Sequence, residues 1–541
     1  MHVQMESKAR ISSAVMVALA FALAIPGAAK GEKTEKPPIV EFAGRWISAT
    51  FEEWEFVSDA GELATASLAD RLLTFRNVVS TLSNAQLLKP RVPTVVYLFS
   101  RDWEFERFTG LGTGVVGFFV SGVRGNFVAM RETSHASGII LLHEYAHFLV
   151  RNQGGFRAPL WYSEGFADFV ATLTTEEPMA LGLPNALRIP QSRKEELLDL
   201  ERVLNAATYS DFDGREVSRF YQAAWIFVHF LHVRHHSEMM RLLNLFNEGA
   251  PIGEAFSEAF GGASVSTLEG ELSEYWKRFI KTSRLPALRL EAERYREMAD
   301  LSIRELPKPR VAARLGELSL SRHMDEVAAM LFGRALESDE NELRALTGMA
   351  RIHSKAGRWD EATQYAERAL SLDDALPSVR VTYGDVLLAR LEGGESLKAN
   401  ERAAMLRNAR SHFASVIKRA PDEPMGFDGY GRSYLFADGD FTLGIQALQR
   451  ARERLGSDNS VLYHLGALHR KAGNQKQARE LLKEVIHWSH AGGDEDDDED
   501  FDFGRRAKKL LMEMDEASAA DTGSAPPSTT ERGRAISWTT S

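Results

Sequence analysis

The chain of 541 residues contains no cysteine. This absence excludes disulfide bridges, thiolate nucleophiles and cysteine-ligated zinc, so a bound metal would need histidine and carboxylate ligands. Basic residues are also in the minority, at 65 Lys and Arg against 76 Asp and Glu, which gives a formal net charge of -11. Nucleic-acid binding depends on clusters of basic side chains, and no such stripe occurs. The sequence therefore predicts no nucleic-acid partner.

Apolar runs long enough to cross a membrane are also lacking. The run over residues 11–25 follows Lys8 and Arg10 and precedes the small residues of 26–29. This order is typical of a secretory signal peptide, and the run is shorter than the roughly 20 residues that a spanning helix needs. We predict that residues 1–29 are a signal peptide and that the protein is exported, to the periplasm or outside the cell, without a stable membrane span. An uncleaved N-terminal anchor is the alternative.

The region before residue 286 is predicted to be an α+β fold. The chain length suggests two or three domains. Residues 30–89 are interpreted as a leader and a helical segment, and residues 90–285 as a catalytic domain. The pattern of apolar residues predicts a helix over 62–88, a strand over 92–99, a hairpin over 116–130 and an apolar helix over 138–151. This order of elements is typical of an α+β domain.

A helical repeat begins near Pro307. Its clearest signature is three positions that recur 34 residues later: Ala328, Phe332 and Ala335, then Ala362, Ala366 and Ala369. Small residues at this period let paired short helices stack, which is typical of tetratricopeptide repeats. We predict a linker over 286–306 and an all-α tetratricopeptide-repeat solenoid over 307–490.

The C-terminal segment carries an unbroken acidic run at 494–500. It lacks the spaced ligands and the glycine of a calcium-binding loop. We therefore predict an acidic linker and a disordered tail over 491–541, interrupted by a short amphipathic helix over 505–514.

The apolar helix contains His143, Glu144 and His147 in the spacing HExxH. The two histidines lie one helical turn apart on the same face, so both imidazoles can reach a single metal ion. Glu144 adjoins the first histidine and can contact a metal-bound water without occupying the metal. The alternative is a solvent-facing pair of histidines that binds no metal.

The segment APLWYSEGFADF, over residues 158–169, offers a third ligand. A catalytic zinc needs three protein ligands and an open fourth position, and Glu164 fits that role. Asp168 lies one helical turn later, where a carboxylate can accept the second ring N–H of a ligand histidine and fix its orientation. The alternative is that Glu164 only caps a helix after Ser163 and that Asp168 is exposed.

Together, HEYAH and PLWYSEGFAD resemble the gluzincin branch of zinc peptidases, and within it the peptidase MA-like group. The metzincin pattern is not met, because it requires Gly at 150 and His at 153, where this chain has Val150 and Gln153. The resemblance spans about 90–285 at the level of motifs and implies a zincin-like fold. The hairpin before the helix resembles the edge strand on which these enzymes lay an extended substrate. The implied site consists of a catalytic base and three zinc ligands, namely Glu144, His143, His147 and Glu164.

The helix around residues 220–232 contains further candidates. Tyr221 is predicted to donate a hydrogen bond to the oxyanion, because related enzymes place Tyr or His there; a packed aromatic is the alternative. Four histidines also lie in or just after this helix, but no carboxylate accompanies them at ligand spacing. We interpret them as a surface cluster rather than a second metal site: His229, His232, His235 and His236.

These observations predict an exported peptidase with Zn²⁺ as its cofactor, in which a zinc-activated water hydrolyses peptide bonds. The repeats are predicted to recruit a protein substrate or partner. The alternative is a non-catalytic tetratricopeptide interaction protein, or a chaperone-like envelope protein, with a relic peptidase fold.

Overall fold

The computed structural model describes residues 42–83, 92–113, 115, 117–120, 122–132, 135–151, 159–189, 196–206, 211–214, 216–393, 397–455, 458–489 and 503–522. The predicted signal peptide, the acidic run and the last residues of the tail lie outside this described part. Among the described residues, none of the helices combines the length and the apolar character that crossing a bilayer requires.

A mixed sheet organises the N-terminal part. The strands of the described residues are β1 (Ile47–Phe51), β2 (Trp54–Ser58), β3 (Thr94–Phe99), β4 (Gly117–Val120), β5 (Asn126–Arg131), β6 (Ala180–Leu181), β7 (Leu288–Arg289) and β8 (Ser302–Glu305). Six of them form one sheet in the order β4-β5-β3-β2-β1-β8, and β6 pairs with β7. β3 is parallel to β2 and to β5, and the other neighbours are antiparallel. The predicted hairpin is thus formed by β4 and β5, with β4 at the edge.

Three strands of the sheet come from segments outside the predicted catalytic domain of residues 90–285. β1 and β2 come from the segment predicted to be a leader and a helix, and β8 comes from the predicted linker over 286–306. The linker prediction is wrong because β8 pairs with β1 through its backbone while all four of its side chains are exposed. A short edge strand of this kind carries no apolar alternation from which it could be recognised.

The N-terminal part also contains ten helices among its described residues. They are α1 (Glu62–Leu82), α2 (Asp102–Thr109), α3 (His135–Arg151), α4 (Leu160–Val170), α5 (Leu200–Asn205), α6 (Glu216–Arg234), α7 (His236–Asn247), α8 (Ile252–Ala259), α9 (Val265–Thr282) and α10 (Ala292–Tyr295). An α+β arrangement is therefore present, and α1 and α3 correspond to the predicted helices at 62–88 and 138–151.

The repeat region is a row of paired helices. They are α11 (Lys308–Ser321), α12 (Asp325–Ser338), α13 (Leu343–Lys355), α14 (Trp359–Leu372), α15 (Pro377–Glu392), α16 (Ala399–Arg419), α17 (Pro424–Arg432), α18 (Thr442–Leu455), α19 (Asn459–Lys471), α20 (Gln475–Ser489) and α21 (Phe503–Thr522). The recurring positions that predicted the repeat are all fully buried: Ala328, Phe332, Ala335, Ala362, Ala366 and Ala369. The solenoid prediction is confirmed.

α21 corrects the prediction for the tail. This helix is longer than the one predicted over 505–514, and it packs on the last repeat pair through Ala507 and Met514. A disordered tail is therefore the wrong description for residues 503–522, because these apolar side chains cover the exposed end of the solenoid.

Two apolar layers lie on opposite faces of the sheet. In β3, Val96 and Leu98 belong to the layer that contains α1, α3 and α4, whereas Tyr97 and Phe99 belong to the layer that contains α2. The second layer also includes Leu315 of α11. The first repeat helix therefore packs directly on the sheet, and the sheet separates the repeats from α3.

Candidate metal centre

The HExxH helix and the helix after it cross within the first apolar layer. α3 contributes buried side chains such as Leu142 and Ala146 to that core. Every residue of α4 except Ser163 is buried. A buried carboxylate needs charged or hydrogen-bonding partners, so Glu164 and Asp168 on α4 must be satisfied inside the protein.

Three donor atoms from these helices converge. The Nε2 atoms of His143 and His147 lie 3.1 Å apart. The Oε2 atom of Glu164 lies 3.4 Å from the first and 3.3 Å from the second. Ligand atoms about 2.0–2.1 Å from a tetrahedral zinc ion are about 3.3 Å from one another, so the triangle has the dimensions that zinc requires. Among the described residues, the buried Oε2 atom has no hydrogen-bond partner, which leaves it available as a ligand.

The other ring nitrogen of each histidine is already held. Nδ1 of His143 lies 2.9 Å from Oδ1 of Asp168, and Nδ1 of His147 lies 3.1 Å from Oγ of Ser163. A carboxylate only accepts, so Nδ1 of His143 carries a proton, and Nε2 is the nitrogen that can bind a metal when the metal displaces its own proton. The sequence prediction missed the contact of Ser163, although its position directly before Glu164 was a signal.

Asp168 is the centre of a second set of contacts. Arg188 donates to both of its carboxylate oxygens, and Asn185 donates to Oδ1 at 3.3 Å. Burial raises the pKa of Asp168, but Arg188 and His143 outweigh burial and hold it below its usual value. Sequence reasoning missed Asn185 and Arg188, because neither belongs to a motif or to a helix.

The electrostatics of the cluster favour a cation. Burial lowers the pKa of His143, yet the carboxylates of Asp168, Glu164 and Glu144 raise it to about 10. Burial likewise raises the pKa of Glu164, but His147 and His143 hold it well below its usual value. The buried carboxylates are thus kept ionised by the positive charge of the protonated histidines. A bound divalent cation can supply that positive charge instead.

A small cavity joins the remaining predicted residues to this cluster. Its walls are Ile140, His143, Glu144, Asp168, Leu187, Arg188 and Tyr221. The Arg188 guanidinium lies 4.3 Å from the centre of the Tyr221 ring, in a cation–π contact. The structure therefore brings together all six of the predicted site residues, with Glu144 and Tyr221 at the cavity and the three donor atoms beside it.

Two of the four histidines predicted to form a surface cluster lie inside the protein, whereas His235 is half-buried and His236 is exposed as predicted. His229 and His232 belong to a stretch of α6, from Phe220 to His232, in which every residue is buried. Nε2 of His229 donates to the carbonyl of Gly182 at 2.8 Å, and its Nδ1 accepts from the Tyr275 hydroxyl at 3.0 Å. His229 therefore anchors the start of the segment that carries Arg188. In the described part of the chain, the His143, His147 and Glu164 group is the one found with metal-binding geometry.

We expect His232→Phe and His229→Phe to differ in their effect on stability. The His232 ring stacks on Phe169 with centroids 4.9 Å apart, and among the described residues neither of its nitrogens has a hydrogen-bond partner. Phenylalanine therefore removes no bond, and the free energy of unfolding at pH 8 should change by less than about 1 kcal/mol. His229→Phe strands the Gly182 carbonyl and the Tyr275 hydroxyl, which should cost about 3 kcal/mol.

Urea unfolding at two pH values checks this expectation. Burial lowers the pKa of His232 to about 3, against 6.5 for the free side chain. The pKa of His232 is lower in the folded state than in the unfolded state. The contribution of the neutral ring to the free energy of unfolding is therefore complete above pH 6.5 and is lost as the pH falls towards 3. At pH 5 the loss is about 2 kcal/mol, which His232→Phe should remove. Identical pH dependence in His232→Phe and wild type would contradict the buried, neutral state.

Family models match both parts of the chain. Residues 66–260 match a peptidase family described as collagenase, a family of zinc metallopeptidases. This segment is less than half of the chain and includes all six predicted site residues. Residues 345–379 and 460–487 match tetratricopeptide-repeat models. No curated protein matches the chain.

Solved structures also match part of the chain. A thermophilic tetratricopeptide-repeat protein of Thermus thermophilus has 18% identity and a TM-score of 0.33, over 38% of this chain and 99% of that one. MamA from Desulfovibrio magneticus RS-1 has 18% identity and a TM-score of 0.27, over 35% and 99%. PilF of Pseudomonas aeruginosa has 17% identity and a TM-score of 0.28, over 40% and 90%. By its family matches, the chain combines a segment similar to zinc metallopeptidases with tetratricopeptide repeats.

Proposed function

We propose that the chain is a zinc-dependent peptidase of the gluzincin type, with a zincin-like catalytic fold. The observation that carries this proposal is the triangle of His143 Nε2, His147 Nε2 and Glu164 Oε2, with edges of 3.1 to 3.4 Å. Asp168 and Ser163 support it by holding the outer ring nitrogens. When bound, zinc supplies a Lewis acid and lowers the pKa of its water to about 7.

The other residues of the cavity have matching roles. Glu144 adjoins His143 and lines the cavity, where its carboxylate can accept a proton from the attacking water and return it to the leaving amine. Tyr221 lines the same cavity, and its hydroxyl is our candidate donor to the oxyanion. Arg188 stacks on the Tyr221 ring and bonds to Asp168, so it ties the two halves of the site together.

The edge of the sheet suits an extended peptide. β4 pairs with β5 on one side, and among the described strands nothing pairs with its other side. The strand lies against the metal-binding helix, since Phe119 and Phe148 have ring centroids 5.0 Å apart. A strand edge of this kind can accept a peptide through backbone hydrogen bonds. This arrangement supports a protein or peptide as the substrate.

Export and partner binding complete the proposal. The charged, apolar and small-residue order of residues 1–29 supports export to the periplasm or the medium. Tetratricopeptide repeats commonly bind proteins, so the solenoid supports a protein partner or substrate. The alternative is an interaction or chaperone-like protein with a relic peptidase fold. The complete set of ligands, base and supporting contacts favours the active enzyme.

Zinc content tests the proposal before any substrate is known. We expect about one zinc per chain in the purified protein by mass spectrometry of the metal. His147→Ala and Glu164→Ala should each lose it, whereas His353→Ala, which changes a histidine of the repeats, should retain it. Circular dichroism of each variant confirms folding. A folded wild-type protein that takes up no zinc when zinc is supplied would refute the peptidase proposal and leave the repeats as the functional part.

A further inference from the structure

The turn of the β4–β5 hairpin contacts the repeats. Arg124, in the turn over residues 122–125, donates from Nη1 to Oγ1 of Thr382 at 3.3 Å and from Nη2 to the carboxylate of Asp385. Both acceptors lie on α15. The side chains of Arg124 and Asp385 are only 26% and 22% exposed. An ion pair this far removed from water, with a second hydrogen bond, holds its geometry better than a surface pair.

Asp385 extends the contact into the next repeat. Arg432 on α17 donates from Nη2 to Oδ1 of Asp385 at 2.6 Å, and from Nε to Oδ2 of Asp428 at 2.7 Å. Asp428 in turn lies 3.6 Å from Nδ1 of His464 on α19. Arg124 therefore stands at the end of a charged row that runs over the first helices of three successive repeat pairs.

An apolar contact accompanies the ion pair. Val123, the neighbour of Arg124, packs against two apolar clusters of the solenoid, one containing Val386 and the other Leu465. Val92, just before β3, belongs to the second of these clusters. The repeats thus contact the turn through both an ion pair and apolar side chains. Repeat solenoids present extended surfaces of this kind to bound peptides.

β4 itself is held from both sides. The guanidinium of Arg322, which follows α11, lies 5.0 Å from the centre of the Phe118 ring. The next residue, Phe119, packs on Phe148 of α3. Since alternate side chains of a strand point to opposite faces, the strand is clasped between the repeats and the metal-binding helix.

We propose that the repeats bind the chain's own β4–β5 turn and thereby fix the edge strand β4. Arg124 and Asp385 are then positioning residues for a peptide laid along that edge, a part of the inference that rests on the proposed function. A hairpin strand that is paired on one side only opens easily, because few contacts hold it. A strand that is ordered in advance spares an incoming peptide the cost of ordering it.

The proposal changes what the repeats can do for a partner. The part of the solenoid formed by α15, α17 and α19 already holds a segment, so a separate protein can bind there only by displacing the turn. Displacement would release β4 beside α3. The repeats can therefore either bind a separate protein on α15, α17 and α19 or hold β4 in place, but not both at once.

Hydrogen exchange of the full mature protein tests the contact independently of any activity. We expect Arg124→Ala to speed amide exchange in residues 117–131 at least tenfold, and Asp385→Asn to act in the same direction. Arg390→Ala is the matched control, because it removes an ion pair of the same helix, to Asp360 at 3.4 Å, away from the turn. Exchange in α3 and the zinc content should not change. Exchange over 117–131 within twofold of wild type in Arg124→Ala would overturn the proposal.

Kinetics on fluorescein-labelled casein test the positioning role. We expect Arg124→Ala to raise KM at least fivefold while kcat stays within twofold, with Arg390→Ala unchanged, because the edge and not the reacting groups is disturbed. A lowered kcat at unchanged KM would overturn positioning by this contact. Zinc binding without cleavage in wild type would count against the proposed function alone, and the exchange experiment would still decide whether the repeats fix β4.

Discussion

Glu144→Gln is expected to lower kcat/KM on labelled casein by about 10³-fold while the protein retains its zinc. General acid–base groups contribute about 10²- to 10⁴-fold, because they move a proton within the transition state. Glu144 lies outside the triangle of donor atoms but lines the cavity next to His143. Glutamine keeps the size of the side chain and one acceptor oxygen but cannot accept the proton. The variant should therefore separate metal binding from turnover.

The control for this experiment is Glu132→Gln. Glu132 is an exposed carboxylate at the end of β5, close to α3 in the sequence, and its replacement should leave both zinc and kcat/KM unchanged. Wild-type turnover in Glu144→Gln would show that another group is the base. If that variant also replaced the wild-type protein in the cell, the relic interpretation would be favoured, and the repeats would be the functional part.

The part of the site that could be predicted from the sequence is the part that helical spacing determines. His143 and His147 are four residues apart, and so are Glu164 and Asp168, so each pair shares a helical face whatever the rest of the fold does. Arg188 escaped prediction because it lies on an irregular segment. The position of that segment depends on distant contacts, such as the one between His229 and Gly182.

The histidines of α6 show a second limit. Helical periodicity places His229 and His232 on a face, but it cannot tell which face is exposed when the helix is apolar all round and buried from Phe220 to His232. The same reasoning applies to strands. β3 could be predicted because all six of its residues are apolar or β-branched, as expected of a buried strand. The residues of β8 are all exposed, so this strand is defined by its backbone hydrogen bonds alone, and these cannot be recognised in a sequence.

A second large effect is expected from Gly165→Ala. Gly165 directly follows Glu164 on α4, and a Cβ atom there would lie 2.3 Å from the carbonyl oxygen of Ala224 and 2.7 Å from Cγ2 of Val228, both on α6. The carbonyl belongs to a helix and cannot turn away without losing its hydrogen bond, so the two helices must separate. We expect the free energy of unfolding to fall by about 3 kcal/mol, the upper part of the range for overpacking.

Gly270→Ala is the matched control, and urea unfolding followed by circular dichroism is the measurement. Gly270 is an exposed residue inside α9, and its added Cβ would meet no atom of the described residues within 4 Å. Alanine should there increase stability by about 0.5–1 kcal/mol through helix propensity. Equal stability of Gly165→Ala and wild type would show that α4 and α6 can move apart freely.

Separation of these helices should also weaken zinc binding. α4 carries Glu164 and Asp168, while α6 carries Tyr221, and the two helices face the same cavity. Any shift of α4 away from α6 moves the third donor atom out of a triangle whose edges vary by only a few tenths of an ångström. A glycine after the ligand glutamate is therefore a requirement of the site as well as of the core, because it permits the close crossing that holds Glu164 in place beside His143 and His147.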